Sequence, residues 1–159
     1  MPKSGPTGGT AGVQRMLLFT AGGQLFGCDI AVVREIIPAR RATRLPGAPG
    51  YVLGLINLRG TVVTVIDLVA RVGAGVADPH DGSIIMVEWG TRAVGLAVDD
   101  MRDVQAVTEQ AIDAAASGAA ARLPASSVRG MARVGEGLAV LLDVQSVVRQ
   151  VMSTVEEQS

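Results

Sequence analysis

The chain has 159 residues, of which 48% are hydrophobic and only 18% charged, so it holds enough apolar material for a buried core and is not intrinsically disordered. Its net charge of −1 argues against a large electrostatic surface for nucleic acid. The single cysteine, Cys28, excludes an internal disulfide and a thiolate zinc cluster. The charge is uneven, because residues 1–75 carry eight basic and three acidic side chains while residues 76–159 carry six basic and twelve acidic ones. Two faces of opposite sign and an ordinary solvated surface both explain this distribution.

The start of the chain differs in composition from the rest. Residues 1–12 are rich in Gly, Ser, Thr and Pro and contain no apolar run, which predicts a flexible N-terminal tail and not a secretory signal. No apolar stretch reaches transmembrane length without a charge or a glycine. We therefore expect a cytoplasmic protein.

Short strand patterns dominate the chain, and we expect a mainly β fold. Four pairs of apolar or β-branched runs, each joined by a turn that contains glycine, predict four β-hairpins. In chain order, these hairpins cover residues 13–20 with 24–30, 51–58 with 61–68, 83–89 with 92–98, and 128–134 with 138–144.

The segments between the hairpins give weaker patterns. Residues 31–37 fit either a helical turn or an irregular strand, and residues 73–82 have the composition of a loop or linker. The Ala-rich stretch 111–125 is either a loop or a weak helix. The spacing of the valines in 145–159, with no Pro or Gly between them, predicts a C-terminal helix and tail.

The two halves of the chain repeat the same spacings. Gly27 precedes an Arg–acid–aliphatic triplet by seven residues, and so does Gly95. Gly54 precedes an Asp–aliphatic pair by thirteen residues, and so does Gly130. Chance matching in a chain rich in Gly and Val is one explanation. The other is a repeat of two units with about five strands each, which is enough to close into a small barrel without exposed edges.

No group of residues has the pattern of an active site, a metal site or a cofactor site. His80, the only histidine, lies in a Pro/Gly/Asp loop with no nucleophile beside it, and Cys28 lies in an apolar strand where burial is expected. Asp99 and Asp100 are adjacent, so on a strand they point to opposite faces. We therefore expect a protein that is not an enzyme and that has no metal and no cofactor.

The most informative segment is 54–60, GLINLRG, which leads into the β-branched run 61–68. Arg59 lies beside Gly60 at the predicted bend between two strands, and Asn57 lies two positions before it. One interpretation is a recognition surface, where the guanidinium offers a planar fork of donors to a carboxylate or carbonyl of a partner. The other is a hydrogen bond to a nearby loop carbonyl that braces the two units. Glu35 is likewise either a contact or a surface charge paired with a neighbouring arginine.

An ordered series of segments resembles the CheW family of chemotaxis coupling proteins. The likeness covers about residues 13–150 and implies two intertwined five-stranded SH3-like β-barrels around a shared hydrophobic core, the first roughly 13–75 and the second roughly 83–144. It also implies short helices and a C-terminal helix. The segments are Val33–Ile37, Arg44–Pro46, Ala48–Gly54, Asn57–Gly60, Val65–Leu68, Val94–Leu96, Val98–Asp99, Val104, Gly130 and Leu141–Asp143.

The resemblance also implies a function without catalysis. It implies an adaptor that joins the cytoplasmic tip of a methyl-accepting chemoreceptor to the regulatory domain of the histidine kinase CheA, which has the same fold, so that the membrane is reached only through the receptor. The receptor-binding residues that it implies are Val33, Glu35, Gly54, Asn57 and Arg59, with Ile85 nearby. The kinase-binding residues are Arg41, Ala42, Thr43 and Leu45 on one barrel and Asp113, within the segment 111–118, on the other. In that second segment Ala-rich residues replace the Pro-containing acidic or aromatic pattern of the family.

Other functions compete with this interpretation. The chain could couple a chemosensory pathway for gliding or pilus motility, because the partner kinase defines the pathway. A small-ligand-binding β-barrel is a further alternative. A nucleic-acid-binding barrel would need stacking aromatics and basic stripes, yet the chain has only four aromatic residues, Phe19, Phe26, Tyr51 and Trp89.

Overall fold

The computed structural model describes residues 12–72, 75–78, 80–113, 123–135 and 137–158. Residues 1–11 of the predicted tail and residues 114–122 of the Ala-rich stretch lie outside this part of the chain. The strands are β1 (Val13–Ala21), β2 (Gln24–Asp29), β3 (Val33–Pro38), β4 (Val52–Leu58), β5 (Thr61–Asp67), β6 (Ser83–Trp89), β7 (Arg92–Val98), β8 (Asp100–Thr108), β9 (Ile112–Asp113), β10 (Val128–Val134) and β11 (Gly137–Leu142), and the α-helices are α1 (Leu68–Arg71) and α2 (Val144–Gln158).

The four predicted hairpins are present. They are β1–β2, β4–β5, β6–β7 and β10–β11, each antiparallel. In the first turn Gly22 and Gly23 have φ of 63° and 81°, the positive values that a two-residue turn needs to match the twist of its strands. The ambiguous segment 31–37 contains both predicted forms, because a 3-10 turn at Ile30–Val32 leads directly into β3.

The strands form two sheets, so the predicted mainly β class is confirmed. One sheet has five strands in the order β3-β6-β7-β5-β4, and the other has six in the order β8-β1-β2-β11-β10-β9. Neither sheet is made from one half of the chain. The division at residues 75 and 83 therefore does not separate the two units, because each sheet contains a hairpin from the other half.

Two parallel strand pairs join a hairpin from one half of the chain to strands from the other half. β2 pairs with β11, where Gly27 lies opposite Leu141, and β7 pairs with β5, where Gly95 lies opposite Val65. A Cβ on Gly27 would come within 2.9 Å of the Leu141 side chain, and one on Gly95 would come within 2.7 Å of that of Ile84. The two glycines thus hold equivalent positions where neighbouring side chains cross the backbone. The repeated spacings in the sequence correspond to a structural repeat of two units. The first hairpin of each unit, β1–β2 or β6–β7, belongs to the sheet that the other unit completes.

The main core lies between the two sheets and includes the inner face of α2. Residues of both sheets contribute to one buried cluster, and α2 adds Val144, Val148, Val151, Met152 and Val155. A smaller cluster, which includes Met16, Leu18 and Leu141, is confined to the six-stranded sheet. Because the helix reaches the five-stranded sheet, it also borders the groove described next.

Candidate functional site

A groove of about 490 Å³ opens on the five-stranded sheet. The β3 strand, the β4–β5 hairpin, the β6–β7 hairpin and α2 all contribute to it. Its floor is apolar, because buried side chains of Val63, Met86, Val94 and Met152 line it. The other lining residues are Arg34, Glu35, Leu58, Arg59, Thr61, Val62, Thr64, Thr91, Arg92 and Ala93.

The corner at Arg59 is set by backbone geometry. Arg59 has a φ of 51° and is the only non-glycine residue with positive φ in the described part of the chain, and Gly60 follows with 87°. Positive φ at both central residues is what a tight hairpin turn requires. The Asn57 side-chain oxygen accepts a hydrogen bond from the Gly60 backbone N–H at 2.9 Å. Asn57 therefore holds the turn that presents Arg59.

The Arg59 side chain forms an ion pair with Glu35, from Nη2 to Oε2. Glu35 lies on β3 and Arg59 follows β4, and these strands are the opposite edges of the five-stranded sheet. The pair thus spans the open seam of the curled sheet. Glu35 is therefore a surface charge that is paired with a neighbouring arginine, which is one of the two interpretations of this residue given by the sequence. The Arg59 side chain is 68% exposed and that of Glu35 is 35% exposed, so both stay within reach of a partner.

The remaining residues proposed for receptor binding differ in their access to solvent. Val33 is half-buried at the start of β3 and packs against the main core. Gly54 has no room for a side chain, since a Cβ there would overlap the carbonyl oxygen of Thr43. Ile85 is fully buried. Glu35 and Arg59 are therefore the members of the set that line the groove, and Asn57 holds the turn beside it.

Several groove residues were not identified from the sequence. Val62 is 64% exposed on the rim, Arg34, Thr91 and Arg92 complete the walls, and Met152 belongs to the floor. Consecutive valines at 62 and 63 were the available signal for Val62, because neighbouring strand residues face opposite sides and one of two must leave the core. The other residues come from elements that only the tertiary fold brings together.

The segment around Thr43 packs along the edge of β4. Thr43 and Leu55 exchange two backbone hydrogen bonds, of 2.8 and 2.7 Å. Ala42 and Leu45 are half-buried and pack against the main core, while Arg41 is exposed. The side chains of Ala42 and Leu45 therefore turn inward and that of Arg41 turns outward.

Asp113 holds the matching place in the other sheet. It lies in β9 opposite Met131, the residue after Gly130, just as Thr43 lies opposite Leu55, the residue after Gly54. Asp113 is exposed. The two segments expected to contact the kinase are thus equivalent positions of the repeat, although residues 114–118 of the second lie outside the described residues.

The polar residues that were considered for catalysis or metal binding lie in surroundings that suit a structural role. Cys28 is buried, as expected, and burial followed by the nearby Asp29 charge raises the pKa of its thiol to about 12, so the thiol stays protonated. His80 is exposed and donates its backbone N–H to Asp78 at 2.8 Å. Among the described residues no cluster of His, Cys, Asp or Glu could hold a metal ion. No helix in that same part of the chain is long and apolar enough to cross a membrane.

An exposed groove with an apolar floor and a charged rim, on one of two interlocked sheets, is typical of a protein-interaction module. Comparison with known proteins gives the family. The family model of the CheW-like domain matches residues 15–152. The chain belongs to the CheW-like family and is a chemotaxis adaptor or scaffold, as the sequence segments indicated.

Individual relatives agree with this assignment. The chain is 33% identical over 133 residues to the chemotaxis protein CheW of Klebsiella aerogenes, covering 83% of this chain and 80% of the relative. It is 36% identical over 139 residues to CheW of Rhizobium meliloti, covering 87% and 89%. The crystal structure of the scaffolding protein TtCheW from Thermoanaerobacter tengcongensis matches with a TM-score of 0.70 and 29% identity, over 82% of this chain and 88% of that one.

Proposed function

We propose that this chain couples the cytoplasmic tip of a chemoreceptor to the histidine kinase CheA, as a cytoplasmic adaptor without catalytic activity. The observation that carries the proposal is the groove between β3, the β4–β5 hairpin, the β6–β7 hairpin and α2. Its apolar floor suits the apolar stripe of a receptor helix, and its rim suits charged residues beside that stripe. The Arg59 side chain, which is 68% exposed, is a charge on the rim that a partner can reach.

Receptor binding is assigned to Val33, Glu35, Gly54, Asn57, Arg59 and Ile85, with different roles. Glu35 and Arg59 would touch the receptor, and Val62 would add an apolar contact at the rim. Asn57 would act by holding the turn, and Gly54 would act by letting the Thr43 segment lie against β4. Ile85, which is buried, would support the β6 side of the groove from within.

Kinase binding is assigned to two places, Arg41–Leu45 and Asp113. Arg41–Leu45 lies against the edge of β4, and Asp113 lies in β9 against β10, each next to an equivalent glycine bulge. Arg41 and Asp113 are both exposed to solvent. The kinase regulatory domain, which by the family resemblance has the same fold, would meet each place with a similar surface. The groove would remain open to the receptor in such a complex, because neither place lines it.

A charge exchange tests the receptor contact. The double variant Glu35→Arg with Arg59→Glu keeps an ion pair across the sheet seam but reverses the charges that a receptor meets. We expect its thermal unfolding to match the wild type, since an exposed pair contributes only about 0–1 kcal/mol. We expect at least a tenfold loss of binding to a receptor cytoplasmic fragment, or about 1.4 kcal/mol, measured by isothermal titration calorimetry.

The controls separate contact from bracing. The exchange of Arg129 with Glu109, a pair at 3.7 Å near the six-stranded sheet, should leave receptor binding unchanged. If the double variant at Glu35 and Arg59 binds the receptor fragment as tightly as the wild type does, Arg59 only connects the two edges of the sheet and does not contact the receptor. Failure of the wild-type chain to bind either receptor or kinase, or to support receptor-dependent kinase activity in a reconstituted mixture, would refute the adaptor function itself.

A further inference from the structure

The Arg59 corner, formed by Arg59 and Gly60, depends on contacts outside its own two residues. Arg59 is not a glycine but has a φ of 51°, and such a conformation persists only where the surrounding structure fixes it. Two fixing contacts are the bond from the Gly60 N–H to the Asn57 side chain and the ion pair of Arg59 with Glu35. Neither contact involves a backbone group of β4, the strand that leads into the corner.

The outer edge of β4 is only partly paired. Leu55 exchanges two backbone hydrogen bonds with Thr43, so its N–H and C=O point away from β5. Alternate residues of an antiparallel strand direct these groups to the same edge. Asn57, two positions further on, therefore turns its own C=O to this outer edge. The bridge between Thr43 and Leu55 is isolated, and no strand in the described part of the chain continues it to Asn57.

Arg40 supplies a partner for this carbonyl with its side chain. Its Nη1 donates to the Asn57 carbonyl oxygen at 3.2 Å. Arg40 lies three positions before Thr43, so its side chain extends toward the corner the pairing that Thr43 makes with Leu55. A hydrogen bond from a charged donor is stronger than one from a neutral donor. Pro38, two positions before Arg40, restricts the backbone from which the side chain reaches.

The contact with Arg40 reaches the corner through a single residue. Asn57 accepts from Arg40 with its backbone oxygen and from the Gly60 N–H with its side-chain oxygen. Arg40 and Asn57 are both exposed, so burial in the core does not fix either of them. Loss of the Arg40 contact would free the Asn57 peptide on its outer side and would loosen the turn that presents Arg59.

We propose that Arg40 is a positioning residue for the Arg59 corner. It does not line the groove; it holds the Asn57 peptide, so that Arg59 is presented in one orientation before a partner arrives. The inference rests on receptor binding at the groove, as proposed above. Because a side chain that is placed before binding loses less conformational entropy on binding, the loss of Arg40 weakens the receptor complex without removing a receptor contact.

Three variants test this role. Arg40→Ala removes the hydrogen bond, and Arg133→Ala makes the same change at an exposed arginine on β10, in the other sheet. Arg40→Lys keeps the charge and can still donate one hydrogen bond. The first readout is the hydrogen-exchange rate of the Gly60 amide in the free chain, from two-dimensional NMR spectra. The second is the dissociation constant for a receptor cytoplasmic fragment, from isothermal titration calorimetry.

The two readouts should change together. For Arg40→Ala we expect exchange at Gly60 to be about threefold faster and receptor binding to be about 3–10-fold weaker, as for the loss of one hydrogen bond. Arg133→Ala should change neither value. Arg40→Lys should restore both to within about twofold of the wild type, because the contact is made by a single nitrogen.

Several outcomes would overturn the proposal. Unchanged exchange at Gly60 in Arg40→Ala would show that the corner does not depend on Arg40, and weaker receptor binding beside it would mean that the Arg40 charge meets the receptor directly. A lower midpoint of thermal unfolding for Arg40→Ala than for Arg133→Ala would indicate general loosening of the fold. If the wild-type chain does not bind the receptor fragment, the proposed function fails, while exchange at Gly60 still decides whether Arg40 positions the corner.

Discussion

At Gly54 the absence of a side chain lets the segment around Thr43 lie against β4. The residue has a φ of 140° at a bulge in β4, and the Thr43 carbonyl occupies the space where a side chain would begin. A substitution there meets two costs, backbone strain and overlap. Gly137 has nearly the same φ, 142°, but nothing lies within 4 Å of its missing Cβ. The two positions therefore separate the costs.

We expect Gly54→Ala to destabilise the fold more than Gly137→Ala does. Both variants carry the strain of an L-residue at this φ, about 1–3 kcal/mol. Only Gly54→Ala adds an overlap with backbone, worth about 1–3 kcal/mol more. Urea unfolding followed by circular dichroism gives both free energies of unfolding. Equal losses would mean that the segment around Thr43 moves away from β4 without a cost in free energy.

At the scale of elements, two aspartates begin the two helices. Asp67 Oδ1 accepts from the Ala70 backbone N–H at 3.1 Å, and Asp143 Oδ1 accepts from that of Ser146 at 3.1 Å. Asp67 makes a further bond, because its Oδ2 accepts from the buried Ala77 backbone N–H at 2.9 Å. Asp67 thus ties α1 to the chain that leads to the second half of the molecule.

Removal of the two carboxylates should have unequal effects. Asp143→Ala loses a helix cap, which costs about 1 kcal/mol. Asp67→Ala loses a cap and leaves the Ala77 N–H buried without its acceptor, which adds about 1–3 kcal/mol. We expect the midpoint of urea unfolding to fall further for Asp67→Ala. A smaller fall than for Asp143→Ala would show that water replaces the lost acceptor at Ala77.

Local features of the sequence predicted the strands and turns more accurately than they predicted which strands pair with each other. Each hairpin is joined by a short turn, so alternation and turn glycines were enough to locate all four. The parallel pairing of Gly27 with Leu141 joins residues more than a hundred positions apart, and no local pattern contains it. The site shows the same limit. Asn57 and Arg59 lie in one turn and were found together, whereas Arg92 and Met152 reach the groove only through the fold.

At the scale of the whole molecule, the exchanged hairpins make each sheet depend on both halves of the chain. The β1–β2 hairpin lies between β8 and β11, and the β6–β7 hairpin lies between β3 and β5. A fragment that ends after residue 79 would retain β1 to β5 but would leave β1 and β2 without their outer partners. Its apolar hairpin would then face water.

We expect fragments 1–79 and 80–159 to be unfolded apart and to fold when mixed. The reason is that each fragment holds strands of both sheets and a complete set of neither. Two-dimensional amide NMR spectra should be poorly dispersed for each fragment alone and should approach the spectrum of the intact chain after mixing. Cooperative unfolding of either fragment by itself would contradict this and would restore the division near residues 75 and 83.

The parallel pairing of β2 with β11 also limits how early the protein can fold during its synthesis. Gly27 and Leu141, which pair between these two strands, are 114 positions apart in the sequence. At about 5–20 residues per second, a ribosome needs roughly 6–23 seconds to make the intervening residues. During that interval the N-terminal hairpin has left the ribosome while its last neighbour does not yet exist. Synthesis of β11, and not formation of the first local hairpin, is therefore the step after which this adaptor can acquire its native sheets.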